Sequence, residues 1–360
     1  MLISLVPYYE NGQKTQENLD EVTSLVHTFG GSVSVVITQN AARADSSSYI
    51  GKGKAHELAD TIVEKGIDVA VINDNLKSSQ LYTLKRIFEE LKPEILVWDR
   101  TDLILQIFEK NASSTEAKLQ IKLAGTRHKG PELYGMGITM SQQGGGIGTR
   151  GLGETNSEIM RRHWRNEIKN IEKQLEKLTA SRHRQMENRN QSGIPTISII
   201  GYTNSGKSTL FNLMSKKHNL TKDTLFATLD SSVGEFYLPN VGRKVFVTDT
   251  IGFIQNLPAE TINAFKSTLM ETLNADLLLH IIDISDLLML DKIKIVEEVL
   301  SSLGIGTKKQ IYVFNKIDCP NIVNKDELQQ RFASFNPQFI SALNGEGSPQ
   351  LVDAIQKELF

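Results

Sequence analysis

The apolar run Ile197-Ser198-Ile199-Ile200 leads straight into Gly201-Tyr202-Thr203-Asn204-Ser205-Gly206-Lys207-Ser208-Thr209. The run reads as a buried strand. The loop fits G-x-x-x-x-G-K-[ST], which needs a strand before it and a helix after it and so restricts the chain to a narrow set of α/β folds. Its physical purpose is specific. Backbone N–H groups of the loop cradle a phosphate chain, the Lys207 ammonium reaches the β- and γ-phosphates, and the Ser208 hydroxyl ligates Mg²⁺. Residues 201–209 are therefore expected to contact a nucleoside triphosphate.

Downstream elements specify the base. Asn315-Lys316-Ile317-Asp318 follows a second apolar strand, Ile311-Tyr312-Val313-Phe314. The Asp318 carboxylate can accept from N1–H and the exocyclic amine of guanine. Adenine would leave it unpaired, and such mismatches discriminate by about four orders of magnitude. Between the two motifs, Val245-Phe246-Val247-Thr248 runs into Asp249-Thr250-Ile251-Gly252, a D-x-x-G turn. Asp249 is expected in the Mg²⁺ shell and the Gly252 N–H at the γ-phosphate. Ser341-Ala342-Leu343 follows a short strand, Phe339-Ile340, and is placed to buttress the base. Each downstream motif alone is weak; four in this order, each after a strand, predict GTP.

The chain has 360 residues, enough for two or three domains, with an ordinary 39% hydrophobic and 23% charged content. A net charge of −2 gives no global attraction for nucleic acid, so any RNA contact must come from local patches. The single cysteine, Cys319, excludes a disulfide framework. No apolar run approaches a membrane span, and Met1–Val6 reads as a first strand rather than a signal segment. A cytoplasmic, monomeric protein is expected.

Residues 1–125 alternate strand signals (Leu2–Val6, Val33–Thr38, Val69–Ile72, Ile95–Trp98) with helical stretches near Thr15–Phe29, Ala55–Lys65 and Ser79–Leu91, a small α/β domain. A helix follows from Thr101, whose hydroxyl is the expected cap, with Leu103, Ile104, Ile107 and Phe108 as its apolar face. Residues 126–192 hold a glycine-rich loop, 139–155, and a long helix from about Ser157 to Arg189. The loop is either a flexible linker or a segment ordered by a partner, with Arg150 available for a phosphate. Trp164, Ile168, Ile171, Leu175 and Leu178 recur on the helix at spacings of four and three. That seam predicts a helical hairpin with the helix from Thr101. The other faces carry Arg161, Arg162, Arg165, Lys169, Lys173, Lys177, Arg182, Arg184 and Arg189, a solvated surface or an RNA-facing patch. Residues 193–360 alternate again through helices Lys207–Lys217, Glu260–Leu273, Leu290–Leu303 and Pro349–Leu359, a doubly wound sheet with ligand at the strands' carboxyl ends. Gly51-Lys52-Gly53-Lys54, in a turn before a helix, is a phosphate contact, an RNA contact or a plain helix start.

The whole pattern resembles the HflX family of translation-factor-related GTPases. The likeness rests on Gly201–Asn212, Leu225–Asp230, Asp249–Ile254, Leu257-Pro258 and Ala275–His280. In the first half it rests on Tyr49–Lys54, Asp99-Arg100-Thr101, Leu103–Leu105, Gly144–Gly151, Gly153–Thr155 and Arg161-Arg162. The resemblance implies a GTPase that binds the large ribosomal subunit and its rRNA and splits or rescues ribosomes under stress. By analogy the N-terminal domain and hairpin would face the RNA. Asn111–Thr115 stands where the family usually has arginines, and Met160 and Met270 where it usually has acids.

For hydrolysis, Lys207 and Mg²⁺ supply charge neutralisation, and Thr228 is the expected second hydroxyl ligand of the ion. The residue after D-x-x-G is Phe253, which cannot orient water, so intrinsic turnover should be slow. Asn204 stands where potassium-activated GTPases coordinate K⁺ beside the phosphates; otherwise it simply stabilises the loop. A ribosome-assembly GTPase, or a GTP-gated module that recruits a protein partner, would share all of these residues.

Overall fold

The computed structural model describes residues 1–8, 12–143, 156–191, 193–215, 226, 232–250, 252–255, 269–320 and 323–360. Thr228, Arg150 and most of the glycine-rich loop lie outside them. They form two compact units. One contains Met1–Lys110 and Lys118–Glu176; the other contains Asn111–Ala117 and the described residues from Lys177 onward.

In the first unit, β1 (Leu2–Val6), β2 (Val36–Asn40), β3 (Val69–Ile72) and β4 (Leu96–Trp98) make a parallel sheet of order β2-β1-β3-β4. Helices α1 (Gly12–Phe29), α2 (Lys52–Glu64) and α3 (Ser78–Leu91) are its crossovers. The four strands were expected; β2 is displaced, starting at Val36, and β4 starts one residue late, at Leu96. Apolar residues of the strands pack with Ala55, Leu58 and Ile62 of α2 and Leu84 and Phe88 of α3 into one core. The Gly51–Lys54 turn serves as a helix start. Gly51 sits at φ +65 before α2, and Lys54 pairs with Glu57 at 2.6 Å.

The helix expected from Thr101 is α4 (Arg100–Asn111). Its cap is Asp99 rather than Thr101. Asp99 Oδ1 accepts from the Asp102 N–H at 2.8 Å, while the Thr101 hydroxyl donates to Asn75 Oδ1 at 2.8 Å. The carboxylate is the stronger acceptor and stands at the position preceding the first helical turn. α4 stops at Asn111. Ser114 Oγ accepts from the Ala117 N–H at 3.0 Å and starts α5 (Thr115–Gln143). The long helix α6 (Asn156–Gln191) bonds to α5, the helix that follows α4. Trp164 Nε1 donates to the Thr126 carbonyl at 2.6 Å, and Lys122–Glu167 and Arg127–Glu172 pair at 3.1 and 2.7 Å. Gly130 permits this approach, since a Cβ there would lie 2.2 Å from the Trp164 ring.

Where α5 passes the start of α4, His128 Nε2 lies 3.2 Å from Asp99 Oδ1 and 3.9 Å from Asp102 Oδ1. Burial, then the Asp99 charge, pushes Asp102 up to about 6. Burial opposes the charged His128 imidazole, but the Asp99 hydrogen bond and both carboxylate charges outweigh it and raise His128 above its ordinary value. Lys129 is the other cation acting on the pair. The signs agree. The folded state holds Asp102 protonated from its ordinary 3.8 up to about 6, so that stabilisation is lost as pH rises through this range. The His128 contribution is full below its ordinary 6.5 and lost as pH rises through the raised value. Thermal melts from pH 5 to 8 should show stability falling, by about 1 kcal/mol from Asp102 alone. His128→Gln should flatten the upper part of that slope.

In the second unit, β5 (Thr196–Gly201), β6 (Ser232–Leu238), β7 (Arg243–Asp249), β8 (Leu277–Asp283), β9 (Gln310–Asn315) and β10 (Gln338–Phe339) form one sheet of order β10-β9-β8-β5-β7-β6. Only β6 is antiparallel, joined to β7 as a hairpin. Helices α7 (Lys207–Ser215), α8 (Met270–Asn274), α9 (Met289–Ser302), α10 (Lys325–Arg331) and α11 (Ser348–Leu359) belong to the same unit. The first part of the helix expected over Glu260–Leu273 falls outside the described residues. Strand residues Ile197, Ile199, Val247, Leu279 and Val313, with Leu210 and Phe211 of α7 and Leu351 and Ile355 of α11, form the core that fixes the sheet's carboxyl edge.

Candidate nucleotide site

β5 ends at Gly201, where a Cβ would meet the Ile281 carbonyl of β8 at 2.3 Å. The chain therefore leaves the sheet in the space between its neighbours and turns through Tyr202–Gly206 into α7. Asn204 marks the exposed bend at φ +62. Gly206 has φ +96, and a Cβ on it would lie 2.1 Å from Asn315 Nδ2.

Asn315 ends β9 and ties three sequence motifs together. Its Nδ2 donates to the Ser205 carbonyl at 2.8 Å, and its Oδ1 accepts from the Ala342 N–H at 2.9 Å. The N-K-x-D asparagine thus braces the phosphate loop against the Ser341–Leu343 loop. Ser341 and Ala342 are buried, whereas Leu343 and Asp318 are exposed at the edge where a base would lie. Lys316, at φ +67, pairs with Asp283 at 2.6 Å.

Lys207 begins α7 and is almost wholly buried; its ammonium donates to the Tyr202 carbonyl at 2.6 Å. Burial pushes Lys207 down to about 8, opposed by Asp249 and assisted by Lys316. Asp249, the last residue of β7, is fully buried within electrostatic reach of it. Ser208 and Thr209 occupy the first turn of α7, half-buried. The Thr250 hydroxyl donates to the Ile199 carbonyl at 2.7 Å, which makes it a brace between β5 and the D-x-x-G turn. Gly252 packs on the phosphate loop, and a Cβ there would meet Lys207 Nζ and Thr203 Cγ2, each at 2.9 Å. Phe253 is 3% exposed and turned into the protein.

His280 of β8 closes the Ala275–His280 segment of the family likeness, which assigned it no role. It is fully buried, its ring edge-on to Tyr312 at 4.9 Å, and burial followed by the Lys207 charge pushes it down to about 3. It stays neutral beneath the lysine. A lone imidazole in the otherwise apolar Leu277–Ile282 was the available signal. Among the described residues, the one cluster of three potential metal ligands is Asp99, Asp102 and His128, in the first unit. A Mg²⁺ ion at the nucleotide could take the Ser208 hydroxyl and the buried Asp249 carboxylate, hard oxygen donors of the kind that ion prefers.

A sheet of this order, with one strand opening into a phosphate loop and another supplying the asparagine that holds it, is the architecture of the P-loop GTPases. Family models agree along the chain. "GTP-binding GTPase N-terminal" matches residues 16–109, "GTP-binding GTPase Middle Region" 111–189 and "50S ribosome-binding GTPase" 196–316. The GTPase HflX of Caldanaerobacter subterraneus is 44% identical over 345 residues, 96% of this chain and 78% of its own length. That of Escherichia coli is 38% identical over 360 residues, 99% and 82%. The chain belongs to the HflX family and is a GTP-hydrolysing enzyme. A GTP-binding protein from Sulfolobus solfataricus, solved in complex with GDP, shares the fold at a TM-score of 0.51 and 23% identity, across 99% of this chain and 97% of that one.

Proposed function

We propose that this GTPase binds the large ribosomal subunit and uses GTP binding and hydrolysis to dissociate or rescue ribosomes under stress. The observation that carries the reading is the excess of exposed cations on α6. Glu167 and Glu172 are spent on Lys122 and Arg127 of α5, while Arg165, Lys169, Lys173 and Lys177 are exposed. Glu158 and Glu176 are exposed as well, but among the described residues cations outnumber acids on the exposed surface of the helix, which suits a polyphosphate surface. The matched model's description, "50S ribosome-binding GTPase", supports the same partner. In this reading residues 1–125 and the hairpin of 126–192 engage the RNA, and 193–360 carry the nucleotide.

Within the nucleotide site, Gly201–Gly206 and Thr209 surround the phosphates, and Lys207 sits on the β- and γ-oxygens. Its depressed pKa reflects burial that a phosphate chain would reverse. Ser208, Asp249 and Thr228 are the residues that would hold Mg²⁺, which would spread the charge of the transferring phosphoryl group. Gly252 presents its N–H to that group, with Thr250 fixing the turn it stands on. Asn315, Lys316, Asp318 and Ser341–Leu343 read the guanine. Asn204, at the exposed bend, is placed to hold K⁺ beside the phosphates.

GTP turnover in potassium buffer, with and without purified large subunits, tests the proposal. Stimulation of at least about tenfold is expected, falling steeply with salt because the contact is to phosphates. Sodium in place of potassium should lower the rate, and equal rates would remove K⁺ from Asn204. No stimulation at any salt, with GTP binding intact, would point instead to a recruited-protein module.

A further inference from the structure

Tyr202 is the second residue of the phosphate loop, where only backbone is needed to meet a phosphate. Its side chain nevertheless has a defined place. The ring is buried, with Lys292 of α9 4.9 Å from its centroid and Lys292 in turn paired with Asp286. The phenol oxygen accepts the backbone N–H of Gln255 at 2.8 Å. Around it, Tyr202 and Phe253 form a parallel bridge. The Phe253 N–H donates to the Gly201 carbonyl at 3.1 Å, and the Thr203 N–H to the Phe253 carbonyl at 2.8 Å. Three hydrogen bonds thus clamp 253–255 onto 201–203. Two use backbone alone and would survive almost any side chain. The third exists only because residue 202 carries a hydroxyl.

The clamped segment begins at Gly252, lodged against Lys207 and Thr203 with no room for a side chain. Phe253 is turned inward and contributes nothing to water, so the order of this turn must come from what holds its backbone. A buried aromatic here could serve as filler alone, but phenylalanine would then suffice. Burying a hydroxyl costs free energy unless a partner is supplied, and the partner supplied is the switch backbone.

We infer that Tyr202 is a positioning residue for GTP hydrolysis. Its hydroxyl pins the turn after D-x-x-G so that the Gly252 N–H stands ready beside Lys207, where charge develops on the transferring phosphoryl group. The inference rests on the reading of 201–208 as the phosphate site. A donor held in place before the reaction stabilises the transition state without reorganising, and a loosened one does not.

Tyr202→Phe and Tyr202→Ala in the full chain test this, with three readouts: affinity for fluorescent GDP, single-turnover GTP hydrolysis, and binding of GDP with aluminium fluoride. For Tyr202→Phe, GDP affinity should stay within about twofold while hydrolysis slows by about 5- to 20-fold, with a matching loss in the aluminium fluoride complex. Tyr202→Ala should be at least as slow. Wild-type hydrolysis in Tyr202→Phe with impairment only in Tyr202→Ala would reduce the residue to ring packing and overturn the inference. So would equal losses of GDP affinity and rate in Tyr202→Phe. Failure of the wild-type chain to bind GDP would instead overturn the reading of the phosphate loop itself.

Discussion

Gly206→Ala should lower GDP affinity by at least about a hundredfold and destabilise the second unit by about 3–8 kcal/mol. At φ +96 a side chain is strained from the outset, at about 1–2 kcal/mol. Its Cβ would also stand 2.1 Å from Asn315 Nδ2, so the amide must retreat. In doing so it leaves the Ser205 carbonyl and the Ala342 N–H buried without their partner, at about 1–3 kcal/mol each. One methyl group thus loosens the phosphate loop and the base-side loop together. Titration with fluorescent GDP and a thermal melt give the two numbers. An affinity within threefold of the parent would show that Asn315 does not couple the loops.

Asp318→Asn should exchange guanine for xanthine. An asparagine offers one acceptor and one donor where the aspartate offers two acceptors. It clashes with the guanine 2-amino group and matches the 2-carbonyl and N1–H of xanthine. A mismatch of this kind in a hydrogen-bonded site discriminates by about three to four orders of magnitude. Because Asp318 is exposed and lies beyond the end of β9, the change should leave the fold's stability nearly untouched. Competition of GDP and xanthosine diphosphate for the variant is decisive. Loss of GDP with no gain for the xanthine nucleotide would assign Asp318 a structural role, and no loss of GDP would remove it from the base.

The phosphate loop and the strands before it could be read in sequence because each requirement is local. The G-x-x-x-x-G-K-[ST] spacing and an apolar run of strand length before it are both visible over a few residues. The strands β1 and β3 begin and end where hydrophobic patterning put them. What escaped depends on distant partners. β6 is half exposed, with a mixed pattern, and becomes a strand only by pairing with β7. Thr101 looked like a cap until Asp99 and Asn75 were seen to divide the work. The helix from Thr101 ends at Asn111 because Ser114 starts a new one, and the apolar spacing across that junction conceals it. The His128 pair joins residues 29 apart, and the Tyr202 hydroxyl finds an N–H 53 residues on. The carboxyl-edge placement of the site followed from topology, whereas its internal bracing did not.

The strand order has a consequence for the protein's synthesis. β5 is the first strand of its sheet to leave the ribosome, yet it lies between β7 and β8, with Ile197 paired to Val247 on one side and Leu277 on the other. Neither neighbour exists when β5 emerges. Long-range parallel pairing of this kind forms late, since a large loop must close before any contact rewards it. Gly201 cannot take up its place against the Ile281 carbonyl until β8 has been made, and Asn315 must arrive later still. A nascent chain that already carries the complete phosphate-loop sequence is therefore unable to hold nucleotide. Binding competence is expected only once residue 315 has emerged and β9 has joined the sheet.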